Sequence, residues 1–437
     1  MGLRNLMNLI FKNIRKTMNW KKFIFFLLGT GLFPAINFAA QKDTTALILL
    51  FNSNIRLFHV EDVNNHRETD IPDFFSKAFP GLFGNHAQSV KRSTSLVHFS
   101  VFPAVGYTLQ TNFAAILAFN IAINGSALSG KNLTNVSTSF AYTLRKQFIM
   151  PIRANIWTKD ENYNVILDWR YLLYPQSTYG LGSFSSLANE DRLNYSYLKL
   201  YNYVLRKITS DFYMGPGYNI DYHWNITEQL PSLYSTADFD KYGKTKRSVA
   251  SGPTLNAIYD TRRNSINPQG GFYGRINYCY HFKWMGSDND WQSLLIEFRK
   301  YLKFPESSNN ILAFWNYDWL TPSGKPAYLD LPSTQWDPEA NLGRGYIQGR
   351  YRGANLLYLE SEYRFPLTHN HLLGAVVFSN VQSVSEWPSN QFKALRPGVG
   401  TGIRIKLNKY SNTNLALDYA FGVGGSSGIF VNLGEVF

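Results

Sequence analysis

The run Asn341-Leu-Gly-Arg-Gly-Tyr-Ile-Gln-Gly-Arg-Tyr-Arg-Gly353, followed at once by Ala354-Asn-Leu-Leu-Tyr-Leu-Glu-Ser-Glu-Tyr-Arg-Phe-Pro-Leu367, decides the reading of this chain. In the second segment Leu357, Leu359, Tyr363, Phe365 and Leu367 fall on one face of a strand, and Tyr358, Glu360, Glu362 and Arg364 on the other. A period of two with apolar residues on one side and charges on the other fits a barrel wall in a membrane, greasy outside and polar inside. The first segment holds three arginines and four glycines. It reads as a cationic, glycine-hinged plug able to fold back into a lumen that carries carboxylates.

The same alternation extends outward from this point in both directions. Sixteen strands are expected, at about 98–107, 111–124, 134–144, 148–158, 162–174, 194–207, 211–227, 248–261, 271–283, 291–304, 310–321, 354–367, 371–384, 396–408, 413–422 and 428–437. Leu294, Ile296, Phe298, Leu302 and Phe304 oppose Glu297, Arg299, Tyr301 and Lys303 in one of them. Connection lengths support the pattern independently. The longest, about 175–193, 228–247 and 322–353, all follow odd-numbered strands. Outer-membrane barrels place long loops on one side and short turns on the other. The fold class expected is therefore all-β, a 16-stranded antiparallel transmembrane barrel over residues 98–437 with an inward-folded sixth extracellular loop.

Composition agrees. Of 437 residues, 16% are aromatic and 17% charged, as interfacial girdles and an apolar exterior require. No stretch after residue 51 is apolar for the roughly 20 residues that a spanning helix needs. The net charge of +13 does not point to nucleic acid. Six of the cations lie in the first 40 residues, which hold no Asp or Glu, and the remaining +7 is scattered. Residues 1–40, basic up to Lys22 and apolar over Phe23–Phe33, read as an export signal. Residues 41–97 read as a short periplasmic segment, with a helix start near Ile71. The single cysteine, Cys279, precludes an intrachain disulfide.

Five further segments appear in collinear order: Gly106-Tyr-Thr-Leu-Gln-Thr-Asn112, Tyr259-Asp-Thr-Arg-Arg-Asn-Ser-Ile-Asn-Pro-Gln-Gly-Gly-Phe-Tyr273, Arg344-Gly345-Tyr346, Glu362-Tyr-Arg-Phe-Pro366 and Leu417-Asp-Tyr-Ala420. With the terminal Gly434-Glu-Val-Phe437 they resemble the BamA/TamA-type outer-membrane assembly and translocation family, also called the bacterial surface antigen family. Three features depart from the family pattern. Gly343 stands where its loop usually carries an aliphatic residue. Asn380, in Phe378-Ser-Asn-Val-Gln382, stands where members often carry Asp. The segment before the barrel is too short for a full periplasmic transport-associated domain.

The resemblance implies a non-enzymatic, cofactor-free barrel in the bacterial outer membrane. It would insert proteins into that membrane or move them across it, through a lateral seam between first and last strands. Its partners would be membrane lipids, unfolded or translocating clients and a separate periplasmic protein, and not nucleic acid. Within it, Arg344, Gly345 and Tyr346 form the loop motif. The arginine is expected to pair with Glu360, Glu362 or Asp418, with Arg364 and Asn380 nearby. Pro103, Gly428, Gly434 and Phe437 are expected to weaken or mark the seam. The alternative function is a passive porin-like channel or a structural outer-membrane protein. A lipolytic or proteolytic barrel is disfavoured, because no paired Ser/His or Asp/His site is legible. His369-Asn-His371 and the acidic start of Asp238-Phe-Asp-Lys-Tyr-Gly243 are weak metal candidates. Gly424-Gly-Ser-Ser-Gly428 has elbow-like spacing but lies in a hairpin.

Overall fold

The computed structural model describes residues 68–71, 73–74, 97–123, 134–158, 160–228, 238–409 and 412–437. The expected signal, residues 1–40, lies outside these, as does most of the 41–97 segment. Sixteen long antiparallel strands form one continuous sheet. They are β1 (Val97–Thr108), β2 (Asn112–Ile123), β3 (Thr134–Thr143), β4 (Phe148–Trp157), β5 (Tyr163–Leu173) and β6 (Asp191–Lys207). Next come β7 (Phe212–Glu228), β8 (Arg247–Asp260), β9 (Gly271–His281), β10 (Trp291–Lys303) and β11 (Ile311–Gly324). The sheet ends with β12 (Leu356–Pro366), β13 (Leu373–Glu386), β14 (Arg396–Asn408), β15 (Thr413–Gly422) and β16 (Ser427–Leu433). Two short ladders, Gln176–Thr178 and Gln391–Phe392, cap β6 and β13.

Each strand pairs with its neighbours in sequence, from β1–β2 (Val97↔Ile123 to Thr108↔Asn112) round to β15–β16 (Leu415↔Leu433 to Phe421↔Ser427). The sheet curls into a nearly closed barrel. Among the described residues no ladder joins β1 to β16, so one seam is unsealed. A barrel abolishes the exposed edges of an open sheet. Here a single pair of edges remains, and β16 presents only seven residues against the twelve of β1.

Polarity alternates as the sequence requires. On β12, Leu357 and Leu359 are exposed while Tyr358, Glu360, Glu362 and Arg364 are buried. On β15, Leu417, Tyr419 and Phe421 are exposed, whereas Ala416, Asp418 and Ala420 are buried. Burying charges and exposing Leu and Phe inverts the pattern of a water-soluble sheet, and it is the polarity of a wall facing hydrocarbon.

One strand ends earlier than its sequence suggests. The stretch 428–437 does not continue to the C-terminus in the wall. Gly434, at φ +93°, turns the chain out of the sheet after Leu433. A left-handed φ costs glycine nothing and most other residues a steric penalty. Phe437 therefore does not mark the seam: it lies 5.3 Å from the Trp315 ring of β11 and is buried. Pro103 does sit within β1, opposite Leu117 of β2. The end of β1 reaches the other edge through Leu109, whose side chain occupies the space that a Cβ at Gly428 would take.

The helix start near Ile71 is present in the described residues, with Asp70 Oδ1 accepting from Asp73 N at 3.1 Å. This segment packs on the short-turn end of the barrel. Thr69 N donates to Asn370 O at 3.0 Å, Glu68 lies 3.3 Å from His371 Nδ1, and Lys409 Nζ bonds Asp73 at 2.6 Å.

Candidate functional site: the arginine cluster beneath β12–β16

The register of β12 to β15 creates a recess on their polar face. Glu360 faces Asn380, which faces Gly398; Glu362 faces Phe378, which faces Gly400; Gly402 faces Asp418. Three alternate positions of β14 are thus glycines on the buried side. A Cβ at Gly400 would strike the Phe378 ring, one at Gly402 the Asp418 carboxylate, and one at Gly398 the Arg344 carbonyl at 2.7 Å. Bare backbone here makes room for a bulky cationic side chain and its carboxylates.

Arg344 fills that room. Its guanidinium is fully buried. Nη1 donates to Asp418 Oδ2 at 2.6 Å, and Nη2 donates to Glu362 Oε2 at 2.5 Å and to Glu360. The planar face lies 3.4 Å from the Phe378 ring centroid. A fork of fixed donors suits several carboxylates at once, and its weakly hydrated face tolerates an aromatic lid. The flanking glycines hold the turn, with φ +82° at Gly343 and +104° at Gly345. A Cβ at Gly345 would come within 2.9 Å of the Phe421 carbonyl group. The aliphatic residue expected at 343 by family resemblance would be both left-handed and crowded by Thr334 and Gln382 at 2.9 Å. Tyr346 is buried; its hydroxyl donates to Pro397 O at 2.5 Å and accepts from Val423 N at 3.0 Å.

All five expected partners converge on this point in different roles. Glu360, Glu362 and Asp418 take the guanidinium. Arg364 Nε donates to Glu362 Oε1 at 2.6 Å. Asn380 serves the loop backbone instead: its Nδ2 donates to Arg344 O at 3.0 Å. A carboxylate cannot donate that bond, which gives the amide at this position a physical reason.

The structure adds members that the sequence reading missed. Arg404 Nη1 bonds Asp418 Oδ1 at 2.5 Å and its Nε bonds Glu435 at 2.6 Å. Glu435 N donates to Ile266 O at 3.0 Å, and Asn341 Nδ2 donates to Val436 O at 3.1 Å. Arg364 Nη2 donates to Phe437 O at 2.9 Å. Residues 434–437 thereby tie the arginine cluster to the turn between β8 and β9. The available signal was the inward alternation of Gly398, Gly400, Gly402 and Arg404. The role of the tail depends on a turn at Gly434 that alternation does not encode.

The other two loop arginines grip the loops themselves. Arg350 donates to Ser185 O at 2.7 Å and Ser185 Oγ at 2.8 Å, and Arg352 Nη1 donates to Tyr328 O at 3.1 Å. Asp337, within the same loop, accepts from Asn341 N and Leu342 N at 3.0 and 2.8 Å. Burial, reinforced by Glu339, pushes its carboxyl up to about 6 despite those donors.

A second polar cluster brings Ser248, His223 and Asp330 together. Ser248 Oγ and Asp330 Oδ1 both lie 3.4 Å from His223 Nδ1. A relay needs serine and carboxylate on different ring nitrogens, so this arrangement does not activate the hydroxyl. Among the described residues no group of three or more His, Cys, Asp and Glu is placed to hold a metal. Asp238, the start of the weak calcium motif, instead accepts from Leu181 N at 2.8 Å.

No family model and no curated protein matches the chain. Solved structures do. A BamA from Haemophilus ducreyi, solved without POTRA domains 1–3, superposes with a TM-score of 0.52 at 12% identity, over 77% of this chain and 70% of that one. CdiB from Escherichia coli gives 0.51 at 8% identity, over 78% and 63%. CdiB from Acinetobacter baumannii gives 0.50 at 11% identity, over 78% and 60%. The chain thus spans less than two thirds of both CdiB structures. These likenesses establish a barrel fold of the BamA and CdiB kind.

Proposed function

We propose that this protein resides in the bacterial outer membrane and inserts proteins into it or passes them across it. The observation that carries the reading is the unsealed seam between β1 and β16 in an otherwise continuous barrel, next to a loop locked by Arg344. The BamA-like and CdiB-like fold supports it. The edges of β1 and β16, which no ladder joins among the described residues, offer a template on which a client strand adds by main-chain hydrogen bonding. In hydrocarbon an unpaired N–H or C=O costs several kcal/mol, so an open seam there favours a strand that can satisfy it. Residues 325–355, anchored beneath β12–β15, keep the lumen from becoming a simple hole. Long loops then face outward and short turns the periplasm. The work requires no cofactor and no covalent chemistry: client folding supplies the free energy. Lipids and unfolded clients are the partners, and the acidic contacts at Glu68 and Asp73 fit a periplasmic segment that docks on the barrel mouth.

The test is a folding assay. Liposomes carrying the protein should accelerate folding of an urea-denatured outer-membrane barrel relative to empty liposomes of the same lipid. Equal rates, together with large and steady single-channel currents, would favour the passive channel instead.

A further inference from the structure

Loop residues 325–355 cover the polar face of β12–β15 but leave a second space on the opposite side of the barrel. A cavity of about 370 Å³ lies between the loop residues Leu329–Glu339 and the polar faces of β3 to β7 and β9 to β11. It shares none of its lining with the arginine cluster. Its size falls in the range of small-molecule sites.

We infer that this cavity is a binding site for a small neutral saccharide. Three features of the wall carry the assignment. The first is charge: four Arg or Lys side chains face four Asp or Glu side chains, so their formal charges balance. The most enclosed of them are already engaged. Asp168 is gripped by Arg170 at 2.8 Å and Lys199 at 3.0 Å, and Asp221 accepts from the hydroxyls of Tyr197 at 2.5 Å and Tyr201 at 2.8 Å.

The second feature is unsatisfied polarity. Asn219 Oδ1, Asp330 Oδ2 and the Trp336 indole Nε1 are buried and have no hydrogen-bond partner among the described residues. Asn219 and Asp330 are 2% and 8% exposed. Buried polar atoms are nearly always paired, and these belong to residues that line one space. Asn135 Oδ1, Arg153 Nε and the Tyr203 hydroxyl, on residues of the same wall, are likewise without a partner among the described residues, so acceptors and donors are both present. Arg275 adds further donors: it stands over the Tyr203 ring at 5.7 Å and forms no ion pair among the described residues. Hydroxyls, which both donate and accept, answer such a mixture. An anion would be repelled by the acceptors, and an ammonium group would find no use for the donors.

The third feature is the aromatic lining. Trp291, Trp319, Trp336 and Tyr317 contribute to the wall. A pyranose ring presents a face of C–H groups that packs on an indole while its hydroxyls point to the edge. Neutral polar charge balance, orphan donors and acceptors, and tryptophan faces together are the recognition chemistry of a sugar. This assignment does not depend on how the seam behaves.

The test uses the whole barrel purified in a detergent without a sugar headgroup. Maltose and N-acetylglucosamine are titrated calorimetrically, with sodium phosphate and ammonium chloride as charged controls. At least one saccharide should bind in about the 0.1–10 mM range expected for a small ligand in a polar site. Asn219→Leu, which removes an orphan acceptor, should weaken that binding by about tenfold. Trp336→Phe keeps a ring and removes the donor, so it should weaken binding as well and serves if the first variant fails to fold. Retention of the folded band on semi-native gels controls for structure. The inference is overturned if neither saccharide binds, if phosphate or ammonium binds more tightly than both, or if folded variants bind the sugar as the parent does.

Discussion

Replacing Arg344 with alanine removes a cation that pairs with three buried carboxylates, Glu360, Glu362 and Asp418. The losses are unequal. Glu362 keeps Arg364 at 2.6 Å, and Asp418 keeps Arg404 at 2.5 Å. Among the described residues Glu360 keeps only the Tyr358 hydroxyl. The uncompensated charge therefore concentrates on Glu360, which is fully buried. Breaking a buried pair by deleting one partner costs about 3–5 kcal/mol. The temperature at which the folded band disappears on semi-native gels should fall, on the order of 5–10 °C. The double variant Arg344→Ala/Glu360→Gln removes the stranded charge and should recover half or more of the loss, because neighbours in one network do not add independently. Arg344→Lys keeps the charge but not the planar fork, and should fall between parent and alanine. Two results would refute the reasoning. One is an alanine variant as heat-resistant as the parent. The other is a double variant worse than either single one, which would mean that Glu360 stabilises the barrel apart from Arg344.

Four further outcomes follow from the same geometry. Asn380→Asp replaces the donor to Arg344 O with an acceptor and should cost about 1–3 kcal/mol, read as earlier cleavage of residues 325–355 by added protease. Gly345→Ala forces a left-handed φ and a contact with the Phe421 carbonyl, and should loosen the same segment in that assay by a similar amount. Phe437→Ala strips an aromatic packed on Trp315 and should destabilise the barrel by about 3–5 kcal/mol, detected as a lower unfolding midpoint in urea. Asp337 titrates near 6 in the native loop, above an ordinary aspartate. Native protein then binds the proton more tightly than unfolded chain, so loop protection should rise as pH falls from 7 toward 4 and level off below. An Asp337→Asn variant should lose that dependence.

Much of the fold is legible in sequence because a barrel wall has one repeating rule. Each strand must show lipid on alternate residues, and Leu357, Leu359, Leu417 and Phe421 obey it visibly. The long connections after β5, β7 and β11 add an independent parity. The arginine and its acids are legible for the same reason: Glu360, Glu362 and Asp418 are inward positions on strands close in space, and Arg344 lies in a run too glycine-rich for a strand. What alternation does not encode is departure from the wall. Gly434 fits either a flexible strand residue or a turn, and only packing against Ile266 and Trp315 decides for the turn. The glycines of β14 pose a related difficulty. In sequence they weaken a strand; in the folded barrel they are the space that the cluster occupies. Asn380 looks like a lost carboxylate until the Arg344 carbonyl is seen facing it.

The central claim is that the unsealed edge between β1 and β16 is where the protein acts. A cysteine pair at Leu109 and Gly428, where the Leu109 side chain already reaches the space of a Cβ at Gly428, is designed to bridge that edge reversibly, and the only native cysteine, Cys279, is buried. The decisive measurement is the folding rate of a denatured client barrel in liposomes carrying this variant, before and after reduction. Oxidised protein should perform no better than empty liposomes, and reductant should restore the parent rate. Full acceleration with the bridge intact would contradict the claim.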